Sequence, residues 1–490
     1  MIIKDVITNL MNRLIGRRLS VKQVESNEEL IERANAILSE LKSALRKQVD
    51  AKKYTEALKT ARSIIQLGWW SITTVRYDSE LDEQLHRIGS ECARSPVETD
   101  SNKVIYVTSG ILAYGGLTQQ LVNHLEYHDK ERFELHVFST DLFPKSDLKS
   151  ERAKRVKELC RFQSVKAKDD LLANAIEIAE YIEKERIGTL VLLLSPDDVI
   201  GLVLASMLPD IPSIFINSSH HVFTGGSFQF DAFVDVTGHY HRESVESARN
   251  ANLVYISLCG RMSKEEAELL SIRDFKSELG LDEKTLLTAT VGNMSKNTWG
   301  GDDSYMNIIG RTLSENPCVH HLFIGTRASQ LKSDIINKYP SCSGRIHTIT
   351  PTPKILEAMK GCDIYLNSFP MGGALSTLDA IASGLPVVLI AAHEAWFNKP
   401  EYTVRSQEEY ERLLNRYVSD KHFRLRAIAE LGDMYEQILS PKIVLQRYEK
   451  LILTLTSNQE KTLLSKSKLE LVRPRVKNFT KRLEKISAEI

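Results

Sequence analysis

The stretch from Asn367 to Val388 reads Asn-Ser-Phe-Pro-Met-Gly-Gly-Ala-Leu-Ser-Thr-Leu-Asp-Ala-Ile-Ala-Ser-Gly-Leu-Pro-Val-Val. Its residue types suit the holding of an anion. Gly372 and Gly373 predict a turn after a strand, and a helix is expected to start near Ala374. The first peptide N–H groups of a helix have no partner within it and form the positive end of its dipole. Together with the Ser376 and Thr377 hydroxyls they would make an anion cradle. Asp379 lies about a turn further on, where a carboxylate can accept both hydroxyl hydrogens of a ribose.

Four other segments combine polar residues or glycine with a strand or helix boundary. Val291-Gly292-Asn293-Met294-Ser295-Lys296-Asn297 ends an apolar run, and Lys296 there could meet a diphosphate as a point charge. Asn217–Gly226 carries His220 and His221, either of which could act as a base near neutral pH. Thr108–Thr118 holds Gly115 and Gly116 ahead of a helix, in a turn that could face a donor phosphate or an acceptor. It is not GxGxxG, so the dinucleotide fingerprint is absent. Ser440-Pro441 opens a late helix with proline at its first position. Each segment also has an ordinary reading: a tight turn, a surface lysine, a structural histidine. Asp197 and Asp198 follow a strand and could contact an acceptor or cap a loop.

The elements that must position these residues follow from periodicity. Apolar residues recur at helical spacing at Ile3, Val6, Ile7, Leu10, Met11 and Leu14, and again at Tyr54, Ala57, Leu58, Ala61, Ile64 and Ile65. Residues 1–98 therefore read as a helical accessory domain. From Lys103 short apolar runs alternate with helical stretches, the pattern of a doubly wound parallel sheet. Strands are predicted at 104–107, 133–139, 189–194, 213–216 and 232–236. After a break at 279–282 they resume at 286–291, 321–324, 345–349, 364–366 and 387–390. The division is 99–275 for a first α/β domain and 276–456 for a second. Residues 457–490 read as a basic helical tail, nine Lys or Arg against four Asp or Glu from Gln459 to Ile490.

In this order the segments resemble a GT-B glycosyltransferase, over roughly residues 103 to 455. The resemblance implies an α/β fold of two facing Rossmann-like domains, here preceded by an all-helical N-terminal domain. Residues 370–388 are similar to the nucleotide-binding segment of the donor domain, and the helix from Pro441 looks like the one that crosses back. The large retaining family carries two glutamates eight residues apart, where this chain has Met371 and Asp379. The Gly-rich turn, Ser/Thr pair and Asp are similar to the O-GlcNAc-transferase-like family, which includes bacterial protein N-glucosyltransferases. By that resemblance Lys296 contacts the diphosphate, Gly372, Gly373, Ser376 and Thr377 cradle it, and Asp379 binds the ribose. Gly116 would lie in a loop facing the interdomain cleft, near a donor phosphate or an acceptor, and His221 or His220 is the candidate for the acceptor side, as base or hydrogen-bond donor.

The whole chain agrees with a soluble enzyme. It has 490 residues, 26% charged and 42% apolar, which excludes a disordered or collagen-like chain and a multi-span membrane protein. The 64 Lys and Arg balance 64 Asp and Glu, so no general attraction to nucleic acid is expected. The six cysteines lack metal-ligand spacing, and the N-terminal residues lack a secretory signal; both point to a cytoplasmic protein. The first apolar stripe, with Arg17 and Arg18 at its end, makes peripheral membrane contact the lesser reading of that helix. The expected function is transfer of a sugar from a nucleotide diphosphate sugar, a UDP-sugar first, to an acceptor protein, glycan or lipid-linked glycan. No cofactor and no essential metal are expected. A non-catalytic glycosyltransferase-like partner, a retaining transferase and a sugar-nucleotide epimerase are the alternatives.

Overall fold

The computed structural model describes residues 27–70, 78–95, 98–142, 145–166, 169–219, 223–225, 229–237, 252–294, 296–297, 304–369, 372–390, 401–402 and 404–457. The first apolar stripe, His220, His221, Met371 and the basic tail lie outside them. The chain divides into two compact units. The first takes Met1–Val236, Tyr240–Ile256 and Gln446–Ile490, the second Thr237–His239 and Ser257–Leu445.

The first unit begins with three helices, α1 (Asn27–Asp50), α2 (Tyr54–Trp70) and α3 (Ser79–Glu91). Strands and helices then alternate: β1 (Asp100–Thr108), α4 (Gly116–Tyr127), β2 (Glu134–Ser139), α5 (Glu151–Leu159), β3 (Arg161–Ser164), α6 (Leu171–Glu185), β4 (Ile187–Leu193), α7 (Val199–Met207), β5 (Ser213–Asn217), β6 (Ala232–Asp235) and β7 (Leu253–Tyr255). All seven strands run parallel in the order β3-β2-β1-β4-β5-β6-β7. Strands covered by helices on both faces read as unbroken apolar runs. Every residue of β4 is accordingly buried.

The opening helices are not set apart from this sheet. Leu45, Val49, Leu58, Ile64, Leu81 and Leu85 belong to the same buried cluster as Ile178 of α6, Val203 of α7 and Leu192 of β4. The helical spacing in the sequence is thus the face that closes the sheet. Polar contacts fix the placement. Arg62 Nε and Gln66 Nε2 of α2 donate to Asp197 Oδ2 at 3.0 and 2.8 Å. Arg94, just after α3, forks onto Glu183 of α6 at 2.9 and 2.7 Å.

In the second unit come α8 (Lys264–Glu268), α9 (Phe275–Glu278), β8 (Leu286–Val291), α10 (Ser304–Glu315), β9 (Val319–Ile324), α11 (Ala328–Lys338), β10 (Ile346–Ile349), α12 (Ile355–Lys360), β11 (Ile364–Leu366), α13 (Ala374–Ala382), β12 (Val387–Val388), α14 (Gln407–Ser419) and α15 (Lys421–Met434). Its parallel sheet has the order β10-β9-β8-β11-β12. The last helix, α16 (Pro441–Ser457), starts in the second unit and ends in the first. Among the described residues no helix is long and apolar enough to cross a membrane.

Asp197 is 2% exposed and holds two donors of α2. Breaking a buried pair on one side leaves an uncompensated charge, at a cost of about 3 kcal/mol. Asp197→Ala should therefore speed amide exchange across Tyr54–Trp70 by on the order of a hundredfold, read by mass spectrometry, with the sheet of the second unit unaffected.

Candidate functional site

In the second unit the chain leaves β8 towards β9 and β10 on one side and returns to β11 and β12 on the other. The loops after β8 and β11 therefore part at the carboxyl edge, the place where open parallel sheets leave a crevice. Both segments singled out in the sequence, Val291–Asn297 and Asn367–Gly373, are these two loops.

The loop after β8 is pinned by backbone. Gly292 N donates to Ile324 O at 3.0 Å and Met294 N to Thr326 O at 3.1 Å. Gly325 has φ +155°, and a Cβ there would lie 1.7 Å from Gly292 O, so only glycine lets the end of β9 lie against this loop. Lys296 follows, half-buried, its peptide N donating to Asn293 O at 3.1 Å. Its ammonium has no partner among the described residues.

The loop after β11 presents the start of α13. Asn367 Oδ1 accepts from Gly373 N at 2.8 Å, and Tyr410 Oη donates to Asn367 O at 3.0 Å. Tyr305, Phe369 and Tyr410 stand edge to face beneath this turn, with Tyr305 Oη donating to Leu366 O at 3.2 Å. Burial pushes the Tyr305 and Tyr410 hydroxyls well above the ordinary phenol range, so they stay protonated donors.

Gly373 is the N-cap of α13 and supplies no side-chain cap. The sequence led us to expect the Ser376 and Thr377 hydroxyls in the anion cradle. In the structure both donate to the Gly373 carbonyl, at 3.0 and 2.9 Å, and Ser376 Oγ accepts from Tyr365 Oη at 2.9 Å. They brace the turn. Thr377 N closes the first intrahelical bond to Gly373 O. Among the described residues the donors left at the helix start are the peptide N–H groups of Ala374, Leu375 and Ser376, all on half-buried residues beside Gly372 and Gly373.

Asp379 sits further along α13 and is 2% exposed. Arg261 Nε donates to its Oδ1 at 3.2 Å and Arg261 Nη2 to its Oδ2 at 2.9 Å. Sequence reasoning missed Arg261, which lies in no motif and more than a hundred positions from its partner.

Lys296, Gly372, Gly373, Ser376, Thr377 and Asp379 are thus residues of one unit, on two adjoining loops and the helix that follows. Gly116 belongs to the first unit. It opens α4 behind Gly115, an N-cap with φ +129° and no side-chain cap. There Arg152 Nη1 donates to Gly115 O at 2.9 Å and Thr118 Oγ1 accepts from Leu112 N at 3.0 Å. Asp198 proves to be a cap: its carboxylate accepts from Gly201 N at the start of α7 and from Ser109 Oγ and Thr140 Oγ1 at 2.6 and 2.5 Å. Burial raises its pKa in spite of these donors. Among the described residues no three of His, Cys, Asp and Glu come together as a metal site.

A Cβ on Gly373 would fall 2.2 Å from Ser376 Oγ, with every other neighbour at 3.5 Å or beyond. Gly373→Ala should therefore lower thermal stability by evicting that hydroxyl, a loss of about 1–2 kcal/mol. The double variant with Ser376→Ala should be no less stable than Ser376→Ala alone, a coupling that a melting-temperature cycle measures directly.

No protein-family model and no curated protein matches the chain. Solved structures do. A mutant O-GlcNAc transferase from Thermobaculum terrenum superposes with a TM-score of 0.56 at 16% identity, over 89% of this chain and 88% of that one. A glycosyltransferase from Rickettsia africae gives 0.58 at 11% identity, over 73% and 99%. HepE from Anabaena, in complex with UDP, gives 0.55 at 11% identity, over 72% and 100%. Likeness at this identity speaks for architecture, and the architecture of this chain is GT-B: two Rossmann-like units with parallel sheets, the first opened by helices.

Proposed function

We propose that this chain is a glycosyltransferase that moves a sugar from a nucleoside diphosphate sugar, a UDP-sugar in the first instance, to an acceptor protein or glycan. One observation carries the reading. At the carboxyl edge of the second sheet a helix start without a side-chain cap, the ammonium of Lys296, which has no partner among the described residues, and the buried carboxylate of Asp379 lie on two neighbouring loops and the helix that follows the second. These are the three groups that a diphosphate and its ribose call for. HepE, whose fold this chain shares, has been solved with UDP and with UDP-glucose.

In such a transfer the bond between the anomeric carbon and the diphosphate oxygen breaks. An acceptor oxygen or nitrogen takes the sugar and gives up its proton, and negative charge gathers on the leaving diphosphate. Lys296 and the peptide N–H groups of Ala374, Leu375 and Ser376 would stabilise that charge as it forms. Asp379 would orient the ribose from behind. His221, or His220, is our candidate for the acceptor's proton. No metal is required by this scheme, because fixed dipoles and an ammonium meet the charge.

Thermal melting against UDP, GDP, CMP and TDP tests the donor class. A ligand of the native state at about a hundred times its Kd adds about 2.7 kcal/mol of stability, a clear upward shift. UDP should give it. A flat response to all four would turn the reading towards a non-catalytic protein of this fold. Lys296→Ala should lower kcat by about a hundredfold or more while KM for the donor moves far less. Unchanged turnover with a raised KM would assign Lys296 to binding only.

A further inference from the structure

We infer that Arg261 is a positioning residue for Asp379 and sets the preference of the nucleotide site for ribose over deoxyribose. The inference rests on the donor-site reading above and adds a residue to it. Asp379 alone is a poor start for recognising a diol. Its side chain is 3% exposed, and a buried carboxylate without a counter-charge is expensive to keep ionised. It can also turn about its own torsion, which leaves the plane of its oxygens unspecified. Arg261 answers both needs. Its side chain is 17% exposed, and Nε and Nη2 reach one oxygen each, at 3.2 and 2.9 Å. A guanidinium fork of this kind fixes the carboxylate plane as well as its charge.

The fork leaves acceptor positions on the carboxylate. An ionised carboxylate offers about four lone-pair positions. Arg261 takes one on each oxygen, so each oxygen retains another. Two hydroxyl hydrogens on adjacent carbons are the donor pair that fits what remains.

The arginine also stands on its own support. Gly260 N donates to Leu439 O at 3.3 Å, and Tyr435 Oη donates to Met262 O at 2.6 Å. The residue on either side of Arg261 is therefore tied to the turn after α15, so the guanidinium is delivered to α13 from outside that helix. A pair serving only to hold Ser257–Met262 against α13 would have the same geometry, and the two roles separate by what the variants do to ligand preference.

The experiment compares Kd for UDP and for 2′-deoxy-UDP by calorimetry in wild type, Arg261→Lys and Arg261→Ala, each first checked for an intact unliganded melting transition. Wild type should favour UDP by about tenfold or more, the worth of one hydrogen bond to a charged group. Arg261→Ala should bring the ratio to within about threefold, by weakening UDP far more than its deoxy analogue. Arg261→Lys keeps the charge and loses the fork, so it should hold 2′-deoxy-UDP about as wild type does and still lose the preference. If Arg261→Ala does not fold, Arg261→Lys alone decides. A folded variant that keeps the wild-type ratio overturns the inference and makes the pair structural. A wild type that binds UDP without discrimination overturns it too. A wild type that binds neither ligand overturns the donor-site reading, and this one with it.

Discussion

The peptide N–H groups of Ala374, Leu375 and Ser376 set the terms for their surroundings in the second unit. Three donors at the start of a helix must meet an acceptor, and most helices supply one from a Ser, Thr, Asp or Asn at the N-cap. This helix has Gly373 there instead. The neighbouring hydroxyls could have turned to solvent, yet both point at the Gly373 carbonyl. Asn367 holds the other side of the same residue through its N–H. The turn is therefore rigid on both of its peptide groups and, among the described residues, open on the three that follow. Stiffness without a cap is what a site for an external anion needs, since a capping side chain would have to be displaced by it.

The first unit spends its polar residues differently. Asp197 and Asp198 are neighbours in sequence and part company at once. The former turns to Arg62 and Gln66 of α2, the latter inward to Ser109, Thr140 and the start of α7. Ser109 closes the circuit by accepting from Ser195 N. Thus the turn after β1, the end of β2 and the loop after β4 are joined by one buried carboxylate at the carboxyl edge of the sheet. The opening helices are attached to the same loop through its other carboxylate. A change in α2 and a change in the β1 turn are therefore linked through adjacent residues, which gives the helices a structural reason to be there.

Much of the fold could be read from the chain because buried parallel strands are apolar throughout. The strands at 286–291 and 364–366 were predicted at the residues where they lie. β3 and β7 were not, and the reasons are physical. β3 is Arg-Phe-Gln-Ser at the sheet edge, with Arg161 and Gln163 exposed, so it carries no apolar run. β7 is three residues long at the opposite edge. The periodicity of the opening helices was equally plain, but periodicity names a buried face without saying what buries it. A stripe that would suit a separate accessory domain proved to share the core of the first sheet.

The candidate site reads from the chain by a related rule. Glycines, a lysine and an aspartate within short loops announce themselves because their spacing along the chain is their spacing in the turn. What no local pattern can report is the partner brought by tertiary structure. Ser376 and Thr377 have the right types for an anion, and only the position of the Gly373 carbonyl and of Tyr365 shows where their hydrogens go. Asp379 looks like a free carboxylate in the sequence, whereas in the structure it is half of a fork with a residue from before the second sheet begins. Arg261 has no signature because its contribution needs none. A guanidinium can act from any segment that reaches, provided its backbone is fixed, and Gly260 and Met262 supply that by bonding to the turn after α15. The proposed donor-side chemistry therefore divides into a part written locally, in the loops after β8 and β11, and a part that exists only once α13 and the segment around Arg261 are packed together.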